Sequence, residues 1–192
     1  MSLPPIESLG TISRQKQVDT LGLLFEPCET LSTFIIDNIL STSIGTQFKS
    51  YREFIEATRR VLLEFLYKAE QDSITANSPI DNRISKIIAA HPRLGGSSKV
   101  TNTELSQHSS AEQKSLQGSR EEAEQLIRLN DEYEQTFPGL RYVVFVNSRP
   151  RSVIMENMRQ RIVRGDIRLE RQEAFEAMCD IALDRARKGG KL

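Results

Sequence analysis

Apolar residues recur at helical spacing over most of the chain. Leu21, Leu24 and Phe25 open one such segment, and Leu31, Phe34, Ile35 and Ile39 resume it after Pro27 interrupts the pattern. Phe54, Val61, Leu62, Phe65 and Leu66 predict a long helix from about Tyr51 to Ala69. Leu126, Leu129, Tyr133 and Phe137 mark another, with Glu and Arg on its remaining faces, as a solvated helix side requires. Two more run from Ile154 to about Val163 and from Leu169 to about Ala186. Only Tyr142-Val143-Val144-Phe145-Val146 has the composition of a strand, and one strand cannot build a sheet. It reads as an extended buried segment or as a helix in disguise. The pattern predicts an all-α fold: a single-domain multi-helix bundle over residues 1–192, with flexible tails at 1–14 and 187–192.

One further helix ends in an unusual way. Ser78-Pro79-Ile80-Asp81 has the residues of a helix start, with serine as cap and proline at the first helical position. Ile80, Ile84, Ile87 and Ile88 then form one stripe over roughly three turns. Pro92 disfavours helical backbone at the residue before it, so the helix closes at or just before His91, and Gly95 and Gly96 can turn the chain away. His91 would sit at the negative end of the helix dipole, which favours the imidazolium by ~0.3–1 kcal/mol. Two readings follow with equal force: a histidine that caps the last carbonyls, or a proton-transfer group held at a forced helix end.

Composition narrows the partners. The 192 residues contain 26 Lys plus Arg and 26 Asp plus Glu, so there is no net attraction to nucleic acid or to an anionic membrane. No apolar run approaches the ~18–20 residues that span a bilayer, and Met-Ser-Leu-Pro-Pro has neither region of a signal peptide. Cys28 and Cys179 lie far apart without paired spacing, as buried thiols of a reducing compartment would. The expected partner is a small molecule in a soluble, intracellular protein. The last residues, Gly190-Lys191-Leu192, resemble the Ser-Lys-Leu peroxisomal address, with glycine where serine is usual. Location is thus expected to be peroxisomal or cytoplasmic.

The polar stretch from Gly95 to His108 predicts a surface loop, with His108 exposed on it. Ser109-Ser110-Ala111-Glu112-Gln113 follows, and its serine and glutamate form a capping box, a common device repeated at Ser119 and Glu122. The alternative use of the same residues is an anion site at a helix start, with Ser109 and Gln113 adding hydrogen bonds and Glu112 facing the ligand.

Taken in order, these motifs resemble a family. His91-Pro92-x-Leu94-Gly95, Ser109-x-x-Glu112-Gln113, Leu129-Asn130-x-x-Tyr133-x-x-x-Phe137 and Arg161-Ile162 are similar to the 2-oxo-4-hydroxy-4-carboxy-5-ureidoimidazoline decarboxylases of urate breakdown. The likeness extends to Leu24-Phe25-Glu26 and Phe48 upstream and to Ile181-Ala182-x-x-Arg185 downstream, nearly the whole chain. The resemblance implies an all-α, dimeric, cofactor-free enzyme that releases carbon dioxide and yields (S)-allantoin. It places the general acid on His91, with Glu112 as its catalytic companion. Pro92, Ser109, Gln113 and the run Leu140, Arg141, Tyr142, Val143 and Val144 are the implied substrate contacts. Arg141 stands where the family has proline, and Pro138 is an insertion. Arg161 and Arg185 both match family positions, and either could meet the substrate or pair with a glutamate.

The chemistry suits this residue set. Loss of carbon dioxide leaves an electron pair that a neighbouring C=N or C=O must accept, and this substrate carries its own acceptor. Neither metal nor pyridoxal is then required. Two other classes compete: a non-catalytic helical interaction module, and a helix-turn-helix DNA binder using Arg149, Arg151, Arg159, Arg161, Arg164 and Arg168. The first leaves the ordered His, Ser-Glu-Gln and Asn-Tyr set unexplained, and the second is disfavoured by zero net charge.

Overall fold

Helices account for the regular structure throughout the described residues of the computed structural model, which are 3–42, 48–95 and 120–191. In chain order they are α1 (Arg14–Leu24), α2 (Glu29–Ile35), α3 (Tyr51–Ala76), α4 (Asn82–Ala89), α5 (Arg120–Thr136), α6 (Arg151–Arg164) and α7 (Ile167–Lys188). A π-helical turn, Ile36–Leu40, prolongs α2, and a short 3-10 turn, Ile6–Ser8, precedes α1 with Ile6 and Leu9 buried.

The longest helices frame the bundle. Along α3, Tyr51, Phe54, Ile55, Thr58, Leu62, Leu66 and Ala69 are buried at spacings of three and four, the stripe that the apolar pattern predicted. The helix outruns Ala69 to Ala76, because its last turns are polar yet still helical until Asn77 takes a left-handed conformation (φ 47°) and stops it. Its start is a reciprocal box: Ser50 Oγ accepts from Glu53 N–H at 3.2 Å, and Glu53 Oε2 accepts from Lys49 N–H at 2.8 Å. Helix α7 packs along α3 and also touches α1 and α4, which makes it the central helix. Most of its length is buried, from Glu170 through Phe175, Met178 and Ile181 to Arg185 and Ala186.

Two sequence expectations move. The helix before His91 begins at Asn82, not after Ser78, because the Asp81 carboxylate caps it by accepting from Arg83 N–H at 2.9 Å. Ser78 instead closes the end of α3, its N–H bonding the Ser73 carbonyl. Helix α4 is therefore eight residues long. The run from Leu140 to Val146 has no regular structure and lies extended against the core, with Leu140, Tyr142 and Val143 buried. Of the two cysteines, Cys179 is buried, which pushes its thiol up to about 12, while Cys28 is only half-buried and caps α2. No helix among the described residues is long and apolar enough to cross a membrane.

Candidate active site

Helix α4 delivers His91 to the interior. The main-chain N–H of Ala90 and of His91 close its last turn onto Ile87 and Ile88 carbonyls, so backbone atoms supply the cap. The imidazole is free for other work: the residue is 5% exposed, and its buried Nε2 has no hydrogen-bond partner among the described residues. An unsatisfied buried ring nitrogen is costly unless a ligand completes it. Pro92, Arg93 and Leu94 follow half-buried, and the turn ends at Gly95 in the left-handed region (φ 63°). A side chain there would also crowd the Cδ2 methyl of Leu126, which would have to shift, so both the backbone and the packing favour glycine.

The turn is clamped onto α5. Arg93 makes a forked pair with Glu134 at 2.8 and 2.7 Å and meets Asp131 at 2.8 Å. Buried Asn130 donates to the Leu94 carbonyl at 3.1 Å and to the Leu126 carbonyl at 2.8 Å. Arg141 donates from Nη1 to the His91 carbonyl at 3.3 Å, so this residue holds the histidine's own backbone. The Asn130 and Tyr133 motif thus has a physical meaning: Asn130 fixes the His91 turn, while Tyr133, one turn on, points to a different centre.

Arg185 sets the charge around His91. It lies buried on α7, with Nη2 on Glu26 Oε1 at 2.6 Å and Nη1 on the Leu24 carbonyl at 3.2 Å. Glu26 is itself buried and holds φ at 121°, a backbone state that costs a side-chain-bearing residue ~1–3 kcal/mol. Burial, and then the positive charge of Arg185, push the His91 imidazole down to about 3. This corrects the expectation of an imidazolium. The helix dipole contributes ~0.3–1 kcal/mol, less than one pKa unit, and burial outweighs it. His91 is neutral near pH 7 in the protein without substrate.

Arg161 belongs to a separate centre. Its Nε bonds Glu170 at 2.8 Å, its Nη2 lies 2.7 Å from the same carboxylate, and Glu173 sits 3.1 Å from Nε. Arg164 reaches both glutamates at 2.5 and 2.7 Å, and Tyr133 donates to Glu170 at 2.6 Å. The Arg161 guanidinium stacks on Tyr142 with 4.8 Å to the ring centre, and its Nη1 donates to the Val143 carbonyl at 3.1 Å. Tyr142 donates to Asn157 at 2.6 Å. Glu170 and Arg185 are fifteen residues apart on α7, about 22 Å along its axis. A cleft of about 350 Å³ beside Arg161 is lined by Val143, Val144, Phe145, Asn157, Glu173 and Asp180, among others.

The structure therefore distributes the sequence candidates. His91, Pro92, Arg141 and Arg185 belong to the His91 neighbourhood through the turn, the 3.3 Å carbonyl bond and the field of Arg185. Leu140 is buried beside them in sequence, whereas Tyr142, Val143 and Arg161 form the second centre, with Val144 on its cleft. Ser109, Glu112 and Gln113 lie outside the described residues, as do His108 and Ser119. Two specific pairings escaped sequence reading, although Glu26 lies within the family likeness. Glu26 interrupts an apolar run just before a proline, a placement that could have signalled a buried pair, but nothing local reveals that Arg185 is its partner. Glu170 looks like one charge among many on a polar helix. Among the described residues no cluster of three His, Cys, Asp or Glu side chains is placed to hold a metal ion.

Residues 10–187 match the OHCU decarboxylase family, where OHCU is the ureidoimidazoline named above, and the chain belongs to that family. It is a carboxy-lyase: an enzyme of urate degradation that decarboxylates a small molecule. A search of curated proteins returned no match.

Proposed function

We propose that the His91 neighbourhood is the catalytic centre and that the product is (S)-allantoin. The observation that carries this reading is the buried Nε2 of His91, without a hydrogen-bond partner among the described residues and under the field of Arg185, at the position where the sequence resemblance puts the general acid. Arg185 binds the substrate carboxylate. Arg161, with its tyrosines and two glutamates, is scaffold.

Departure of carbon dioxide leaves an electron pair on the ring carbon, the adjacent C=N accepts it, and one proton is taken up overall. His91 supplies that proton to one face of the ring, which sets the hand of the product. A neutral imidazole in the free enzyme acquires its proton only in the complex, when the substrate's negative charge offsets that of Arg185. Pro92, Leu140 and Arg141 wall the site, and Ser109, Glu112 and Gln113 contribute the hydrogen bonds that hold the ureido group, as the family pattern implies. The substrate's own C=N makes the reaction independent of a cofactor, and the homodimer belongs to the same reading.

The test feeds freshly generated substrate to the enzyme and follows circular dichroism of the allantoin formed. Spontaneous decay gives a racemate, so an excess of the S hand is the expected result, and a racemate at the uncatalysed rate rejects the proposal. Mass in solution by light scattering tests the dimer.

A further inference from the structure

We infer that Glu26 is a positioning residue for this reaction: a backbone held at positive φ aims its carboxylate so that the Arg185 guanidinium is locked in the orientation that receives the substrate carboxylate. The inference rests on the reading of Arg185 as the substrate arginine. Three features of the chain carry it.

First, Glu26 sits where its own conformation is unfavourable. Its φ of 121° is a region that glycine occupies easily and glutamate does not, yet glutamate stands there in the short link between α1 and α2. Such a state persists only where surrounding contacts over-determine it. Second, both ends of the contact are buried, with side-chain exposures of 2% for Arg185 and 3% for Glu26 at 2.6 Å. Long-range packing brings them together, since 159 residues separate them in sequence. Third, the same link contributes a second acceptor: the Leu24 carbonyl takes Arg185 Nη1 at 3.2 Å. The end of α1 and the residue after Phe25 thus grip two different nitrogens of one guanidinium, which fixes its rotation about the side-chain axis.

A purely structural pair and a positioning pair make different demands. A structural pair needs opposite charge. A positioning pair needs an acceptor oxygen at one place, and the charge on that oxygen weakens the attraction of Arg185 for an anionic substrate. Loss of the acceptor and loss of the charge should therefore act in opposite directions on substrate binding.

The experiment compares steady-state kinetics of wild-type enzyme, Arg185→Gln, Glu26→Ala, Glu26→Gln and Glu26→Asp on the ureidoimidazoline substrate, with melting temperatures recorded for each. Glu26→Ala is expected to raise KM about tenfold or more while kcat changes less than about threefold. Glu26→Gln keeps an oxygen at the same reach, and its KM is expected at or below the wild-type value. Glu26→Asp keeps the charge and withdraws the oxygen by one methylene, so its KM should rise, and it carries the test if Glu26→Ala fails to fold. Changes in melting temperature with KM unmoved, or KM rising in Glu26→Gln as much as in Glu26→Ala, would overturn the inference. An inactive wild-type enzyme, or Arg185→Gln with unchanged KM, would overturn the Arg185 reading itself and the inference with it. An impaired Arg185→Gln beside an unaltered Glu26→Ala would overturn the role of Glu26 alone.

Discussion

Near its two ends, α7 enters two buried arginine–carboxylate pairs of the same residue types, to which the proposed mechanism gives opposite use. Toward its start, Glu170 receives Arg161 at 2.8 Å, and Glu173, Arg164 and Tyr133 complete a network around them. Toward its finish, Arg185 meets Glu26 at 2.6 Å. The Arg161 network joins α5, α6 and α7 and places a guanidinium over the Tyr142 ring. The Nε and Nη1 of Arg161 bond Glu170 and the Val143 carbonyl and so hold elements together, while its buried Nη2 lies 2.7 Å from the Glu170 carboxylate without hydrogen-bond geometry. The Arg185 pair instead acts on a histidine whose Nε2 is buried without a hydrogen-bond partner among the described residues. Residue type and burial do not distinguish the two arginines; what each charge faces does.

The sharpest way to break this contrast is to remove the proton carrier. His91→Asn should keep the helical fold and lose about 10²–10⁴ of the rate, the usual worth of general acid–base help. Near-normal product formation by circular dichroism would end the assignment of His91. The arginines come next. Arg185→Gln removes the 2.6 Å partner of a buried carboxylate and should cost about 3–5 kcal/mol in urea unfolding, whereas Arg161→Gln leaves Glu170 with Arg164 and Tyr133 and should cost less. Only Arg185→Gln should also raise KM, by about ten- to a hundredfold, the worth of hydrogen bonds to a charged group. Equal kinetics in the two variants would erase the distinction.

A smaller effect probes the scaffold alone. Tyr133→Phe removes the 2.6 Å bond to Glu170 and should cost about 1.5–3 kcal/mol of stability without changing KM. A kinetic defect with normal stability would bring Arg161 into the chemistry. The smallest expected effect is a slope. His91 has a folded pKa of about 3, below the ordinary 6.5, so between those values the unfolded chain binds the proton and the native protein does not. The stabilising contribution is complete above pH 6.5 and is lost as pH falls toward 3, by at most about 1.4 kcal/mol per pH unit. Chemical denaturation across pH 4 to 6 should show this slope in wild-type protein, and His91→Asn should flatten it.

Much of the architecture was legible before any coordinates. The stripes of α3 and α5 follow the 3.6 period because each helix buries one side, and that period survives in sequence, whereas the central α7 is buried on several sides. Pro27 and Pro92 predicted chain breaks correctly, since proline's missing N–H and fixed φ act locally. Boundaries were less legible: Asp81 and Ser78 are both good caps, and only the way α3 ends determines which is used.

Apolar periodicity determined the all-α class, the helix end forced by Pro92 marked His91 as the residue to examine, and the order of the motifs pointed to the family. Tertiary structure decided its state and its company. A sequence places His91 at a helix end and so predicts a proton held there; burial against Arg185 reverses that sign, because desolvation and a like charge arise only when α4 and α7 meet. The difference in surroundings on which the proposed choice of Arg185 over Arg161 rests has the same origin. Both are arginines at family positions on polar helices, and the contacts that separate them, to Glu170 nine residues away and to Glu26 across 159 residues, come from packing, not from spacing along the chain.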